Sequence, residues 1–510
     1  MPGVLAGARR RAASSIGEEG VESVSASFAR LLPPREVVRF APDGPESAPA
    51  VEAEVDHSRR VDEFLARAGA APSNLDATDI ETILLSISME NPAAEHLREF
   101  FDDSELRGRA PYVPYVVGFE EHFESQPPFR LLGETLFRCL RAPMRAAPHS
   151  LEDQLRYIRD RWAHFLPSRI LDRITLALDV CEEDRRLRGL GPGPIPVLEF
   201  GRGLFGSGEP EFEAFSTDRD WMSNLVLIAK NVHVWLDQLS KKHGRPLRLL
   251  SDIPDEELDR LGRWGFRGLW LIGLWERSRA SQRIKQYTGN PEAVASAYSL
   301  LDYRIADDLG GEEAWRALQG RAWARGIRLA SDMVPNHMGI DSRWVLEHPG
   351  WFVGLDHPPY PWYSFTGGDL SDDPRAGLQI EDGYWSRKDA AVVFRRFDRA
   401  TGESRYIYHG NDGTSMPWND TAQLNYLLPE VREAVIRTIL HVARLFPIIR
   451  FDAAMTLAKR HYQRLWFPQP GDAGAIPSRA EHGMSKADFD RAFPAEFWRE
   501  VVDRVAAEAP

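Results

Sequence analysis

The chain has 510 residues, 43% of them hydrophobic and 27% charged, with a formal net charge of -13. This balance describes a globular protein of about three domains at roughly 150 residues each. It disfavours nucleic acid, whose phosphates require basic stripes, and it argues against binding to an anionic membrane surface. With only Cys139 and Cys181, no disulfide scaffold can form, so a reducing, cytoplasmic setting is expected. No apolar run reaches the ~20 residues that span a bilayer. Arg9, Arg10 and Arg11 have no apolar stretch behind them, so no secretory signal is expected.

Residues 1–60 are rich in Ala, Pro, Ser and charge, which predicts a disordered or loosely attached segment. Residues 61–220 read as a helical accessory domain. Ser150 is placed to cap a helix carrying Leu151, Leu155, Ile158 and Trp162 at helical spacing, and Ile170, Leu171, Ile174 and Leu178 line the next. Gly201, Gly203 and Gly206 fit G-x-G-x-x-G. A dinucleotide site needs a helix to open at the third glycine, and Gly208-Glu209-Pro210 forbids one, so a plain loop is expected.

From residue 221 buried strands alternate with helices. Strands are predicted at 225–228, 268–272, 327–334 and from Ile448. Helices are predicted at 232–240, after Pro254, at 312–325 and at 429–445. This alternation argues for a parallel sheet covered by helices. Residues 221–337 and 427–510 form its two parts. Between them, 338–426 is an insertion dense in Gly, Pro, Asp and aromatics, including Trp351, Tyr360, Trp362, Tyr363, Trp385 and Trp418. Rings and carboxylates suit sugars, although more than half of these rings are expected to pack a small subdomain. His337, His348, His357 and His409 show no metal-ligand spacing.

The fourth strand carries Arg450-Phe451-Asp452. Residues two apart in a strand share a face, so guanidinium and carboxylate sit together. The cation favours the ionised carboxylate, which suits a nucleophile or charge stabiliser. The same pair also suits a purely structural role.

Two motifs then combine. Asp332-Met333-Val334-Pro335-Asn336-His337 ends the third strand, and Arg450-Phe451-Asp452-Ala453 lies on the fourth. D-x-V-x-N-H and R-x-D-A, with an inserted domain between, resemble the α-amylase family of glycoside hydrolases. The resemblance covers roughly residues 221–510. Tyr-Ser-Leu-Leu-Asp-Tyr at 298–303 and Gln423-Leu424-Asn425 resemble two further segments of that family.

The resemblance implies a (β/α)8 TIM-barrel with an inserted domain after its third strand, and retaining chemistry on an α-glucan or maltooligosaccharide. Asp452 matches the nucleophile, Arg450 the arginine beside it, His337 a sugar-binding histidine, Tyr298 a tyrosine stacked beneath the sugar, and Asp332 a supporting carboxylate. Asn336 matches a calcium ligand of calcium-binding members, and no other cofactor is implied. Three departures stand out. Met455 and Thr456 replace a common Lys-His, Gln423 replaces an aspartate, and Ala297 and Ser299 replace Gly and Asp.

A retaining enzyme also needs an acid/base carboxyl, which the family places at the end of the fifth strand. Here Asp452 is followed by a loop at 468–486 and a helix at 494–507. Glu481, Asp488, Glu496, Glu500 and Glu508 have no strand before them. The expectation is a barrel cut after about four strands, lacking its general acid and inactive alone. The alternative is a non-catalytic glycan-binding or scaffold protein. Hydrolase and glucosyltransferase share the covalent intermediate and are not separated by these residues.

Overall fold

Four short strands build one parallel sheet: β1 (Leu227–Asn231), β2 (Gly268–Ile272), β5 (Arg328–Met333) and β12 (Ile448–Phe451), in the order β1-β2-β5-β12. The computed structural model describes residues 2–17, 24, 72–100, 103–109, 111–129, 133–164, 166–187, 222, 224–413 and 416–509. The chain separates into two units, Met1–Ile174 and Thr175–Pro510.

In the second unit the strands are stacked in register, with Trp270 beside Ala330, Ala330 beside Ile448, and Asp332 beside Arg450. Leu269, Leu271 and Leu329 are buried. They belong to one core with Leu236 and Leu239 of the helix Val232–His243, Leu318 of Gly311–Trp323, and Val435 and Ile439 of Pro429–Leu445. Each such side chain contributes about 1.5–3 kcal/mol on burial. The helices start and stop where local chemistry dictates. Asn231 accepts from the Val234 amide at the first N-terminus, and Gly244 ends that helix at φ 61°. Asp255, Glu256 and Glu257 sit at the positive end of Asp255–Arg263.

The first strand lies two residues later than expected, at Leu227–Asn231 and not 225–228. Lys230 and Asn231 interrupt the apolar run, but the ladder with β2 continues through them to Ile272. No described strand pairs with the outer edge of β1 or of β12.

The insertion forms its own antiparallel sheet in the order β7-β10-β9-β8, from Gly354–Leu355, Ser404–Tyr408, Val393–Asp398 and Ala376–Ile380. Two further small antiparallel pairs form: β3 (Trp275–Arg277) with β4 (Leu300–Ile305), and β6 (His337–Gly339) with β11 (Thr421–Gln423). The second pair sews the end of the insertion to the segment after β5. Of the rings singled out, Tyr363 is buried, Trp362 is 68% exposed, and the others are half-buried.

In the first unit, helices Pro2–Ile16, Pro72–Glu90, Tyr112–Glu124 and Leu136–Ala146 contribute to a core that includes Tyr115, Phe119 and Phe137. Ser150 accepts from the Asp153 amide at 3.1 Å. Within the segment expected to be loose, Pro2–Ile16 forms a helix. Its Ala8 and Ala12 are fully buried, and Ala12 lies so close to Gly118 that a Cβ there would meet its Cα at 2.7 Å. Small residues on both helices permit that approach, a spacing that composition conceals. The Gly201–Gly206 loop lies outside the described residues. Cys139 is buried, Cys181 is exposed, and both are free. Among the described residues no helix is long and apolar enough to cross a membrane.

Candidate active site

Arg450 stands at the carboxyl end of β12, directly beside Asp332 of β5. Its guanidinium forks. One nitrogen lies 3.0 Å from Asp332 Oδ1, the other 2.7 Å from Asp452 Oδ1. Asp452 follows the strand, and its amide donates to the Met333 carbonyl at 2.8 Å, so the ladder runs one residue further and fixes its backbone. The next residue, Ala453, has φ 51°, a left-handed conformation unusual for a residue with a Cβ. That turn swings the chain away from the sheet and leaves the carboxylate at the strand tip.

The rest of the cluster is aromatic. Trp270 Nε1 donates to Asp332 Oδ2 at 3.1 Å, and Trp275 Nε1 donates to the Asp332 carbonyl at 2.8 Å. The Arg450 guanidinium lies 5.3 Å from the Trp270 ring and 5.4 Å from the Tyr298 ring. These rings cover a cation shared by two carboxylates. The Asp332 side chain is only 4% exposed, while those of Asp452 and Arg450 are 20% and 41% exposed. Burial pushes the Asp332 carboxyl above its usual range, against the hydrogen bonds from Arg450 and Trp270. Burial likewise raises the Tyr298 phenol. Asp332 therefore sits beneath the arginine, and Asp452 is the carboxylate offered to solvent.

His337 is buried against the Tyr298 main chain. It is 3% exposed, with Nε2 at 3.2 Å from the Tyr298 carbonyl and Nδ1 at 3.3 Å from Asn336 Nδ2. Both ring nitrogens are engaged, so a sugar contact requires displacing a main-chain carbonyl. Burial lowers the imidazole pKa. Asn336 does not fit a calcium ion. It is fully buried, and its Oδ1 already accepts from Gln423 Nε2 at 3.0 Å and Thr456 Oγ1 at 2.9 Å. Among the described residues no group of three or more His, Cys, Asp or Glu is arranged to hold a metal.

Three of the late carboxylates serve structure. Glu496 accepts from the Lys459 amide at 3.1 Å, Asp488 pairs with Arg491 at 2.9 Å, and Glu508 pairs with Arg504. Sequence reasoning missed Trp270. The available signal was its alternation along β2, which puts it on the face shared with Asp332 and Arg450.

No protein-family model matches the chain. The α-amylase SusG of Bacteroides thetaiotaomicron is 22% identical over 216 residues, 42% of this chain and 26% of that protein. The match thus spans about a quarter of the curated relative's length. Among solved structures, an α-amylase from Lactobacillus plantarum is 18% identical, covering 47% of this chain and 40% of that one at a TM-score of 0.29. A trehalose-6-phosphate hydrolase from Bacillus licheniformis is 16% identical, covering 56% and 43% at a TM-score of 0.32.

Proposed function

From its distant similarity to α-amylase-family glycoside hydrolases over about half its length, we propose that this chain carries the nucleophile side of a retaining site for α-glucans. The carrying observation is the fork of Arg450 onto Asp332 and Asp452 at the ends of adjacent parallel strands. In this reading the four strands are part of a (β/α)8 barrel, whose reactive groups gather at the carboxyl ends of its strands. Asp452 attacks the anomeric carbon and the glycosidic bond breaks. Arg450 aims the attacking carboxylate, and Asp332 anchors Arg450. Tyr298 supplies an apolar wall. The glycosyl-enzyme is then released to water or to a sugar hydroxyl, giving hydrolysis or transfer. The proton donor for the leaving group is not assigned to any residue of this chain.

A substrate whose leaving group needs no proton tests the reading without that donor. α-Glucosyl fluoride meets the condition, because fluoride departs unassisted. The chain should release a burst of fluoride stoichiometric with protein, and Asp452→Asn should abolish it. Absence of a burst from the wild type contradicts the proposal. The buried His337 and the unassigned donor favour a second reading, a glycan-binding protein without turnover. In that case maltooligosaccharide binds wild type and Asp452→Asn alike, and neither releases fluoride.

A further inference from the structure

We infer that the amide nitrogen of Gln423 takes the place a cation would hold behind the site, so that hydrogen bonds and no metal join the insertion to the strand ends. Three segments meet there: Asn336 after β5, Gln423 on β11, and Thr456 in the turn after β12. All three side chains belong to fully buried residues. Gln423 Nε2 faces three oxygens, Asn336 Oδ1 at 3.0 Å, the Asn336 carbonyl at 3.1 Å and the Leu424 carbonyl at 3.3 Å. Main-chain carbonyls only accept, so the nitrogen end of the Gln423 amide must point at them.

The remaining orientations follow from this one. Gln423 Oε1 accepts from Asn336 Nδ2 at 3.1 Å, which turns Asn336 Oδ1 toward Gln423 Nε2 and the Thr456 hydroxyl. The second N–H of the Asn336 amide reaches His337 Nδ1, which therefore accepts. The imidazole proton then sits on Nε2 and is donated to the Tyr298 carbonyl. Gln423 and Thr456 are thus positioning residues that act on His337 through Asn336. The single Thr456 hydroxyl proton is shared between Asn336 Oδ1 at 2.9 Å and the Ala453 carbonyl at 2.6 Å, which also ties the turn after Asp452.

A calcium ion takes about six to eight oxygens, usually with carboxylates among them. Here the converging oxygens are neutral, and an NH2 group already occupies the point they face. A cation entering this point would have to expel that group.

The test uses the full chain, and neither readout requires turnover. Calcium titration calorimetry should show no binding, and the thermal midpoint should be the same in chelator and in calcium. In Gln423→Glu a carboxylate replaces the donor among the same oxygens. That variant should melt lower than wild type in chelator and recover with calcium. In 15N-histidine-labelled wild type the His337 proton should reside on Nε2. A wild type that binds calcium or loses stability in chelator overturns the inference. So does a Gln423→Glu chain as stable in chelator as wild type, or a proton on His337 Nδ1.

Discussion

Arg450 balances two carboxylates with one positive charge, and the two are not equivalent. Asp332 is buried and depends on Arg450 and Trp270, whereas Asp452 has access to water. Removing the guanidinium with Arg450→Met strands a buried charge. Because Arg450 is itself partly exposed, the expected loss is about 2 kcal/mol in urea unfolding. Arg450→Lys keeps the charge but cannot fork, so it should recover only part of that loss. His409 gives a pH prediction. Its Nδ1 lies 2.9 Å from the Thr421 carbonyl, and burial lowers its pKa to about 4. The unfolded chain then binds the extra proton between the ordinary imidazole value and about 4. Stability from this group is complete above that window and is lost as pH falls through it, by about 3 kcal/mol at the acid end. His409→Gln should flatten the decline in unfolding midpoint between pH 6.5 and 4, and an unchanged slope contradicts the assignment.

At the scale of elements, the strands and the shared face of Arg450 and Asp452 were legible because apolar runs and alternation are local. The knot of Asn336, Gln423 and Thr456 was not. Its bonds join residues 87 and 120 positions apart, and no local pattern links Gln423 or Thr456 to Asn336. The segment after β12 teaches the same lesson. Its Gly, Pro and charge read as a loop, and it is largely irregular, yet Arg479 within it is 2% exposed. That guanidinium donates to the Trp466 carbonyl at 3.0 and 3.1 Å and lies 4.5 Å from the Tyr408 ring. The Arg479 and Ala480 amides donate to Glu183 at 3.2 and 3.0 Å. No local pattern marks an arginine as a core residue when its partners come from distant segments. Arg479→Ala leaves a cavity and an unpaired carbonyl and should cost about 3 kcal/mol or more. Limited proteolysis should then cut within 468–485 faster than in wild type, and equal rates would show that Arg479 does not clamp the segment.

At the scale of the molecule, the parallel sheet presents two edges that no described strand covers. Val226 just before β1 and Leu227 at its start are 51% and 40% exposed, and Ile448 and Ile449 are half-buried on β12. Unpaired main-chain groups flanked by apolar side chains template association. Light scattering should find concentration-dependent self-association, reduced by Val226→Lys, whereas a monomer at every concentration would show that both edges are protected. The same edges frame the chemistry, because Asp452 lies at the tip of an edge strand and a proton donor would have to stand across from it. The nucleophilic role proposed for Asp452 is therefore best tested without the donor. After incubation with 5-fluoro-α-glucosyl fluoride, peptide mapping by mass spectrometry should find one glycosyl adduct, on the peptide containing Asp452 and at that carboxylate. An adduct on any other residue, or an unmodified Asp452 after prolonged exposure, contradicts the account.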